Sequence, residues 1–228
     1  MTRADTQGDP VAGPLPRAAA TPAGPSDIAA EALQAEIAAC TLCAARFKAT
    51  ASAHAPRPVV RFSPSARVLV AGQAPGARVH ASGVPFDDAS GQRLRAWMGV
   101  APETFYDRSR VAIVPMAFCF PGYDARKADL PPPPVCAATW RARVMALLPG
   151  LRLVLLVGGT AQRWHLGCRA GVTGTVAGWR ETTRVRDLPR VFPLPHPSWR
   201  NTGWLRRNPW FEADLLPALR AAVREELS

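Results

Sequence analysis

The sequence predicts an α/β fold with three layers, α/β/α, on two observations. Four short runs rich in Val, Leu and Ile, at Val68 to Ala71, Val111 to Val114, Leu153 to Val157 and Val191 to Leu194, have the length and composition of buried strands. Stretches that read as helical separate them, notably Ser90 to Met98, Val135 to Leu148 and Thr160 to Leu166. Strands that alternate with helices pair in parallel through βαβ units and leave helices on both faces of the sheet. With 228 residues, 48% of them apolar, the chain can bury one substantial core.

Taken in order, residues 1–26 carry Pro10, Pro14, Pro16, Pro22 and Pro25 among small and polar neighbours. That composition cannot bury enough surface to offset the entropy of ordering, so the segment reads as a disordered tail ahead of a single domain, 27–228. From Asp27 the pattern turns helical, with Ile28, Leu33 and Ile37 on Ala-rich neighbours, and it ends near Cys40 and Cys43. The first strand empties into Gly72-Gln73-Ala74-Pro75-Gly76, and the last empties into His196-Pro197-Ser198. Ligands of open α/β sheets sit outside the carboxyl ends of the strands, so both loops are expected to line one pocket. At the C-terminus, Asn208 is the expected N-cap and Pro209 the first helical residue. Phe211, Leu215, Leu219 and Val223 then recur every fourth residue on one face.

Charge narrows the class of partner. The 28 basic side chains against 17 acidic ones give a formal charge of +11, which favours a polyanion, nucleic acid foremost. No charge-free stretch of about 20 apolar residues suggests a membrane span. The first residues lack the apolar core of a signal peptide, so the protein reads as cytoplasmic, and as a monomer.

Four of the five cysteines form a pattern: Cys40-x2-Cys43, then 75 intervening residues, then Cys119-x16-Cys136. Four soft sulfur ligands suit an iron–sulfur cluster or zinc, and spacing alone does not separate the two, nor either from four ordinary thiols. Cys168 lies outside the pattern and reads as a simple buried thiol.

The loop Gly72 to Gly76, the segment Gly83-Val84-Pro85-Phe86 and the loop His196-Pro197-Ser198 stand in an order and context that resembles the uracil-DNA glycosylase superfamily. The likeness is closest to its iron–sulfur-containing branch, family 4, and runs from Cys40 to Leu219. It implies a four-stranded parallel sheet between helices. It also implies a DNA repair hydrolase that flips uracil or a related deaminated base out of single- or double-stranded DNA, breaks its N-glycosidic bond and leaves an abasic site. On that resemblance Cys40, Cys43, Cys119 and Cys136 would hold a [4Fe–4S] cluster, with zinc as the alternative. His196 would donate a hydrogen bond to a carbonyl of the leaving base, and Phe86 would stack on it. The backbone of Gly72, Ala74, Pro75 and Gly76 would approach base and sugar. The plain readings beside these are a histidine at a strand end, a core phenylalanine and a turn with no ligand.

The sequence departs from the family pattern twice. Family 4 members usually carry an acidic residue where Gln73 stands; Gln73 could itself orient water or accept hydrogen bonds, and a carboxylate for the attacking water is expected from Asp88, or from Asp87, unless Asp88 only caps the helix at Ser90. The asparagine that normally reads the uracil edge after the second strand is also missing, since Val114 runs into Pro115-Met116-Ala117. Beyond the third motif, Ser198, Trp199, Arg200, Leu205, Arg206 and Arg207 mix aromatic, apolar and basic side chains where the family inserts a wedge into DNA. A solvated basic loop with Trp204 against the last helix is the competing picture, and Arg93 and Arg95 are weaker candidates for contacting DNA, since charges on a helix after the second motif usually form only its wet face. Lys48 and Lys127 are the only lysines, and neither falls in a motif, so a Schiff-base step has no support. The rival functions are a DNA-binding protein with the same fold and cluster but little turnover, and a phosphate-binding α/β enzyme. For the latter the first loop lacks the longer glycine pattern.

Overall fold

The computed structural model describes residues 26–167, 170–183 and 189–228. Residues 1–25 of the expected tail, and Cys168, lie outside the described residues. The four expected strands form as β1 (Val68–Ala71), β2 (Val111–Ile113), β3 (Leu153–Val157) and β4 (Arg190–Leu194). They pair in parallel in the order β2-β1-β3-β4, with Val70 opposite both Ile113 and Leu155, and Leu155 opposite Phe192. Pro193 is tolerated because β4 is an edge strand, where a missing N–H breaks no ladder bond on the open side.

Alternate residues of each strand face opposite layers. On one face Leu69, Ala71, Ala112, Val154 and Leu156 pack with α1 (Asp27–Ala38), through Leu33 and Ile37, and with Trp140 and Val144 of a later helix. Ahead of that helix come α2 (Ala44–Lys48), α3 (Ala77–Ser82), α4 (Ala89–Met98) and α5 (Pro102–Phe105), and the helix itself is α6 (Pro134–Ala146). It is followed by α7 (Gly159–Leu166), α8 (Gly171–Ala177), α9 (Trp179–Thr182), α10 (Thr202–Arg207) and α11 (Leu216–Leu227). On the other face Val68, Val70, Ile113, Leu155 and Phe192 meet Leu94 and Trp97 of α4 and Leu219 and Val223 of α11. The result is the α/β/α sandwich that the alternation of strands and helices predicts.

The C-terminal helix begins differently from the expected capped start. Asn208 turns its side chain back, donating from Nδ2 to the Trp204 carbonyl at 2.8 Å, and closes α10 instead of capping the next helix. The chain then runs through a π-type turn at Phe211–Leu215 before α11. Pro217 supplies the reason: it has no N–H to give the carbonyl four residues back, so the helix widens by one residue there. No helix among the described residues is long and apolar enough to cross a membrane.

The strand order places a topological switch between β1 and β3. The connection from β1 leads to β2 on one side, whereas β3 and then β4 build outward on the other. Loops leaving β1 and β3 therefore diverge and open a crevice at their carboxyl ends.

Candidate active site and thiol pocket

A cleft of about 540 Å³ opens at that crevice. The whole Gly72 to Gly76 loop lines it, together with Phe86, Asp88, His196, Ser198, Trp199 and Arg200. Residues far apart in the chain, and singled out from its motifs, thus share one wall. Leu205, Arg206 and Arg207 do not line it: α10 turns both arginines out to solvent, while Leu205 packs on the core beside Trp204.

His196 follows β4 directly, and its ring is held in one tautomer. The backbone N–H of Ser198 donates to Nδ1 at 3.2 Å, so a neutral imidazole carries its proton on Nε2. Burial pushes its pKa below the ordinary histidine value, and the nearby carboxylates of Asp88 and Asp129 pull only partly against that. Asn201 fixes the backbone by donating to the His196 carbonyl at 2.7 Å.

Phe86 sits in a left-handed backbone conformation, φ +55°, uncommon for a residue with a side chain. Its surroundings impose this. The Tyr106 hydroxyl donates to its carbonyl at 3.3 Å, and the Phe105 ring meets its ring edge-on, centroids 6.0 Å apart. Gly91 in the first turn of α4 presses on the same peptide, where an added Cβ would stand 1.8 Å from the Phe86 oxygen. The ring in turn lies over Gly72, whose missing Cβ would be 3.3 Å from the ring tip. Glycine at 72 lets the first loop and the aromatic platform touch.

Asp88 caps α4: its Oδ1 accepts from the Gly91 N–H at 2.9 Å and the Ser90 hydroxyl at 2.6 Å, while the residue still lines the cleft. Capping the helix does not remove Asp88 from the cleft. Asp87 points elsewhere, 3.9 Å from Arg78. Gln73 accepts from Thr160 at 3.4 Å through Oε1. Its backbone carbonyl and that of Gly72 accept from the N–H groups of Ala117 and Met116, which zips the first loop to the segment after β2.

At the rim, Ser198 caps a short turn (Trp199–Asn201), accepting from the Arg200 N–H. Trp199 is 72% exposed, and the Arg200 guanidinium lies 5.8 Å from its ring centroid. Trp204 instead packs edge-on against Trp210 and Phe211 and bonds Thr173.

Several residues of the site escape sequence reasoning. Arg93 donates to the Ser198 carbonyl at 3.0 Å, and Arg95 reaches the Tyr106 hydroxyl at 3.1 Å, so neither belongs to a merely wet face. Arg141, fully buried, donates to the Val114 carbonyl at 2.6 Å and to His165 Nε2 at 2.7 Å, and burial lowers its pKa to about 9. It anchors the chain just before Pro115, which forms cleft wall where an asparagine was missing. Asp129 also lines the cleft. The partners of these arginines lie between 9 and 105 residues away in sequence, and no local pattern announces them.

The four patterned cysteines surround a second pocket, away from the cleft, with apolar walls that include Phe47, Pro58, Val135 and Trp140. Cys40 follows α1, Cys43 precedes α2, Cys119 follows β2 and Cys136 lies in the first turn of α6. All four thiols are free. The Phe118 N–H donates to the Cys136 sulfur at 3.3 Å. Burial first, and then the proximity of the other sulfurs, push Cys119 up to about 12 and Cys136 up to about 11, against the opposing pull of backbone N–H groups. Bare thiolates are therefore costly here, and a bound cation would offset that cost. Among the described residues no three His, Cys, Asp or Glu side chains are gathered to hold a metal ion.

The fold, the switch-point cleft and the motif residues on its walls agree with a comparison against known families, in which the model of the uracil DNA glycosylase superfamily matches residues 59–220. That match spans most of the chain and all four strands, so the chain belongs to the uracil DNA glycosylase superfamily.

Proposed function

We propose that the chain is a monofunctional DNA N-glycosylase that removes uracil, or a related deaminated base, and leaves an abasic site. One observation carries this reading: His196 and Phe86, 110 positions apart, line the same cleft at the carboxyl ends of the strands. The flipped base stacks on the Phe86 ring, which is already fixed in place. As the glycosidic bond lengthens, negative charge gathers on the base and positive charge on the sugar. The His196 Nε2–H donates to a base carbonyl where the negative charge develops, and it does so as a neutral group, since burial keeps the ring unprotonated near pH 7. Asp88, held by its cap bonds, offsets charge on the sugar and positions the attacking water, with Gln73 on the same cleft as a further group to orient it. Trp199 fills the space left by the extruded nucleotide. Ser198 and Arg200 contact adjacent phosphates, and Arg206 and Arg207 extend the basic track.

The test is base release from single- and double-stranded DNA carrying uracil, hypoxanthine or xanthine, read as strand scission after alkali. Scission at the modified site is expected for at least one substrate. DNA binding without scission on any of them overturns the reading in favour of a DNA-binding protein of the same fold. Changing Arg206 and Arg207 together to Ala is expected to weaken binding to every sequence and to flatten the salt dependence by about two charges' worth of slope. An unaltered slope in a salt titration would place those arginines away from DNA.

Within the superfamily, we place the chain with the iron–sulfur-containing branch, family 4, and assign Cys40, Cys43, Cys119 and Cys136 to a [4Fe–4S] cluster. Four sulfurs around one pocket support this, together with the resemblance to that branch. The bound group pins α1, α2, the segment after β2 and α6 together and takes no part in bond breaking. Protein purified without exposure to oxygen is expected to be brown and to contain iron and sulfide. Cys119→Ser is expected to lose the colour and to melt earlier, and colourless, zinc-loaded wild-type protein would reverse the assignment.

A further inference from the structure

Two carboxylates flank His196 in the cleft, and their circumstances differ. Asp88 is committed to the N-terminus of α4. The Asp129 carboxylate makes no hydrogen bond and no ion pair among the described residues, although it lines the cleft and lies close enough to His196 to influence its charge. It is exposed at the mouth, on the segment that follows β2.

The backbone beneath it is built to hold a position. Leu130 N–H donates to the Gly122 carbonyl at 2.9 Å, and Tyr123 and Asp129 form an antiparallel bridge. Inside that small hairpin the Asp124 carboxylate accepts from the N–H groups of Arg126 and Ala128. Its base is tied to the preceding layer. The Ala51 N–H donates to the Tyr123 carbonyl, the Tyr123 N–H donates to the Ser52 hydroxyl, and His54 Nε2 bonds the Phe120 carbonyl at 2.9 Å. A rigid hairpin thus presents an unpartnered acceptor to the cleft. At the strand end itself Ile113 and Pro115 offer only hydrocarbon.

We propose that Asp129 reads the edge of the extruded base, its carboxylate accepting the ring N–H that uracil and hypoxanthine carry and that cytosine and adenine lack. This rests on the glycosylase reading above. The chemistry is selective because an ionised carboxylate only accepts. Uracil presents N3–H and hypoxanthine N1–H, whereas cytosine and adenine present a lone pair at the same place, which faces the carboxylate with nothing to donate. His196 Nε2–H, the complementary donor, takes the neighbouring carbonyl. One donor and one acceptor then match a lactam edge and mismatch an amino-substituted one. A negative charge beside the departing base does not help it leave, so Asp129 acts in selection and binding and not in bond cleavage.

The test uses duplexes with a slowly hydrolysed probe, 2′-fluoro-2′-deoxyuridine, or its N3-methyl derivative, each opposite an abasic site so that pairing strength is equal. Wild-type protein is expected to bind the uracil probe about 10- to 100-fold more tightly than the methylated one, the range of a hydrogen bond to a charged group. Asp129→Ala is expected to bind both equally, and Asp129→Asn, which keeps an acceptor oxygen, to restore most of the preference. A preference unchanged in Asp129→Ala, or absent from the wild type, overturns the assignment. Alkaline cleavage on ordinary uracil DNA, run in parallel, separates the two proposals. Base release with a preference indifferent to Asp129 removes only the edge reader, and the reverse pattern removes only the glycosylase. The Asp129 side chain is exposed and unbonded, so its variants are expected to fold, which circular dichroism verifies.

Discussion

Replacing His196 with Ala is expected to slow base release by about 10²- to 10³-fold in single-turnover experiments, with DNA affinity nearly unchanged. The size reflects the loss of one preorganised donor at the point where charge develops. Preorganisation is visible in the lock on the ring: the Ser198 N–H occupies Nδ1, and Asn201 holds the carbonyl of the same residue. The donor spends no energy choosing a tautomer or rotamer when the bond breaks. On the proposed reading affinity survives, because arginine contacts to phosphates would supply most of the grip. A variant that releases base as fast as the wild type would remove His196 from the chemistry. One that fails to bind DNA would make it a structural residue.

Gly91→Ala is expected to be the most damaging of the alanine substitutions at the described glycines, costing roughly 2–4 kcal/mol of stability. The new Cβ would lie 1.8 Å from the Phe86 oxygen and 2.7 Å from its carbonyl carbon, and backbone atoms cannot swing aside as a side-chain tip can. Relief requires α4 to separate from the Phe86 peptide, and that separation strains the Asp88 cap, since the Gly91 N–H is the backbone donor that Asp88 caps. Chemical denaturation measures the loss. Gly76→Ala is the control: nothing lies within 4 Å of its Cβ and its φ is −81°, so it is expected to cost less than about 1 kcal/mol even as an N-cap. Equal stability of the two variants would mean that α4 packs on Phe86 more loosely than these distances imply.

The parallel sheet was legible in the sequence because its strands are covered on both faces, so they read as unbroken apolar runs between turn residues. The short helices were not. Elements such as α5, α9 and α10 have four to six residues, too few for a helical period to show, and tertiary contacts hold them. At the C-terminus Asn208 and Pro209 imitate a helix start, but Pro217 reshapes the turn after them.

Legibility of the site divided along the same line. His196, Phe86 and the Gly72 to Gly76 loop each follow a strand or stand in a recognisable order, and the cleft collects all of them. Asp129 belongs to a stretch between Lys127 and Pro134 that carries neither period nor motif, and only the hairpin closed on Gly122 brings it to the cleft. Arg93 looked like surface because its partner, the Ser198 carbonyl, is 105 residues away. Leu205 had the right neighbours in sequence, but α10 turns it towards the core.

The clamp on Phe86 bears on how such a protein would survey a genome. A ring whose main chain is wedged between a helix start and a tyrosine hydroxyl cannot swing out to meet a nucleotide. On the proposed glycosylase reading the deformation comes from the nucleic acid, and the rate of encounter then depends on how readily each nucleotide leaves its helix. Wobble pairs, strand ends and gaps would be inspected first, and lesions inside stiff, well-stacked tracts would wait longest.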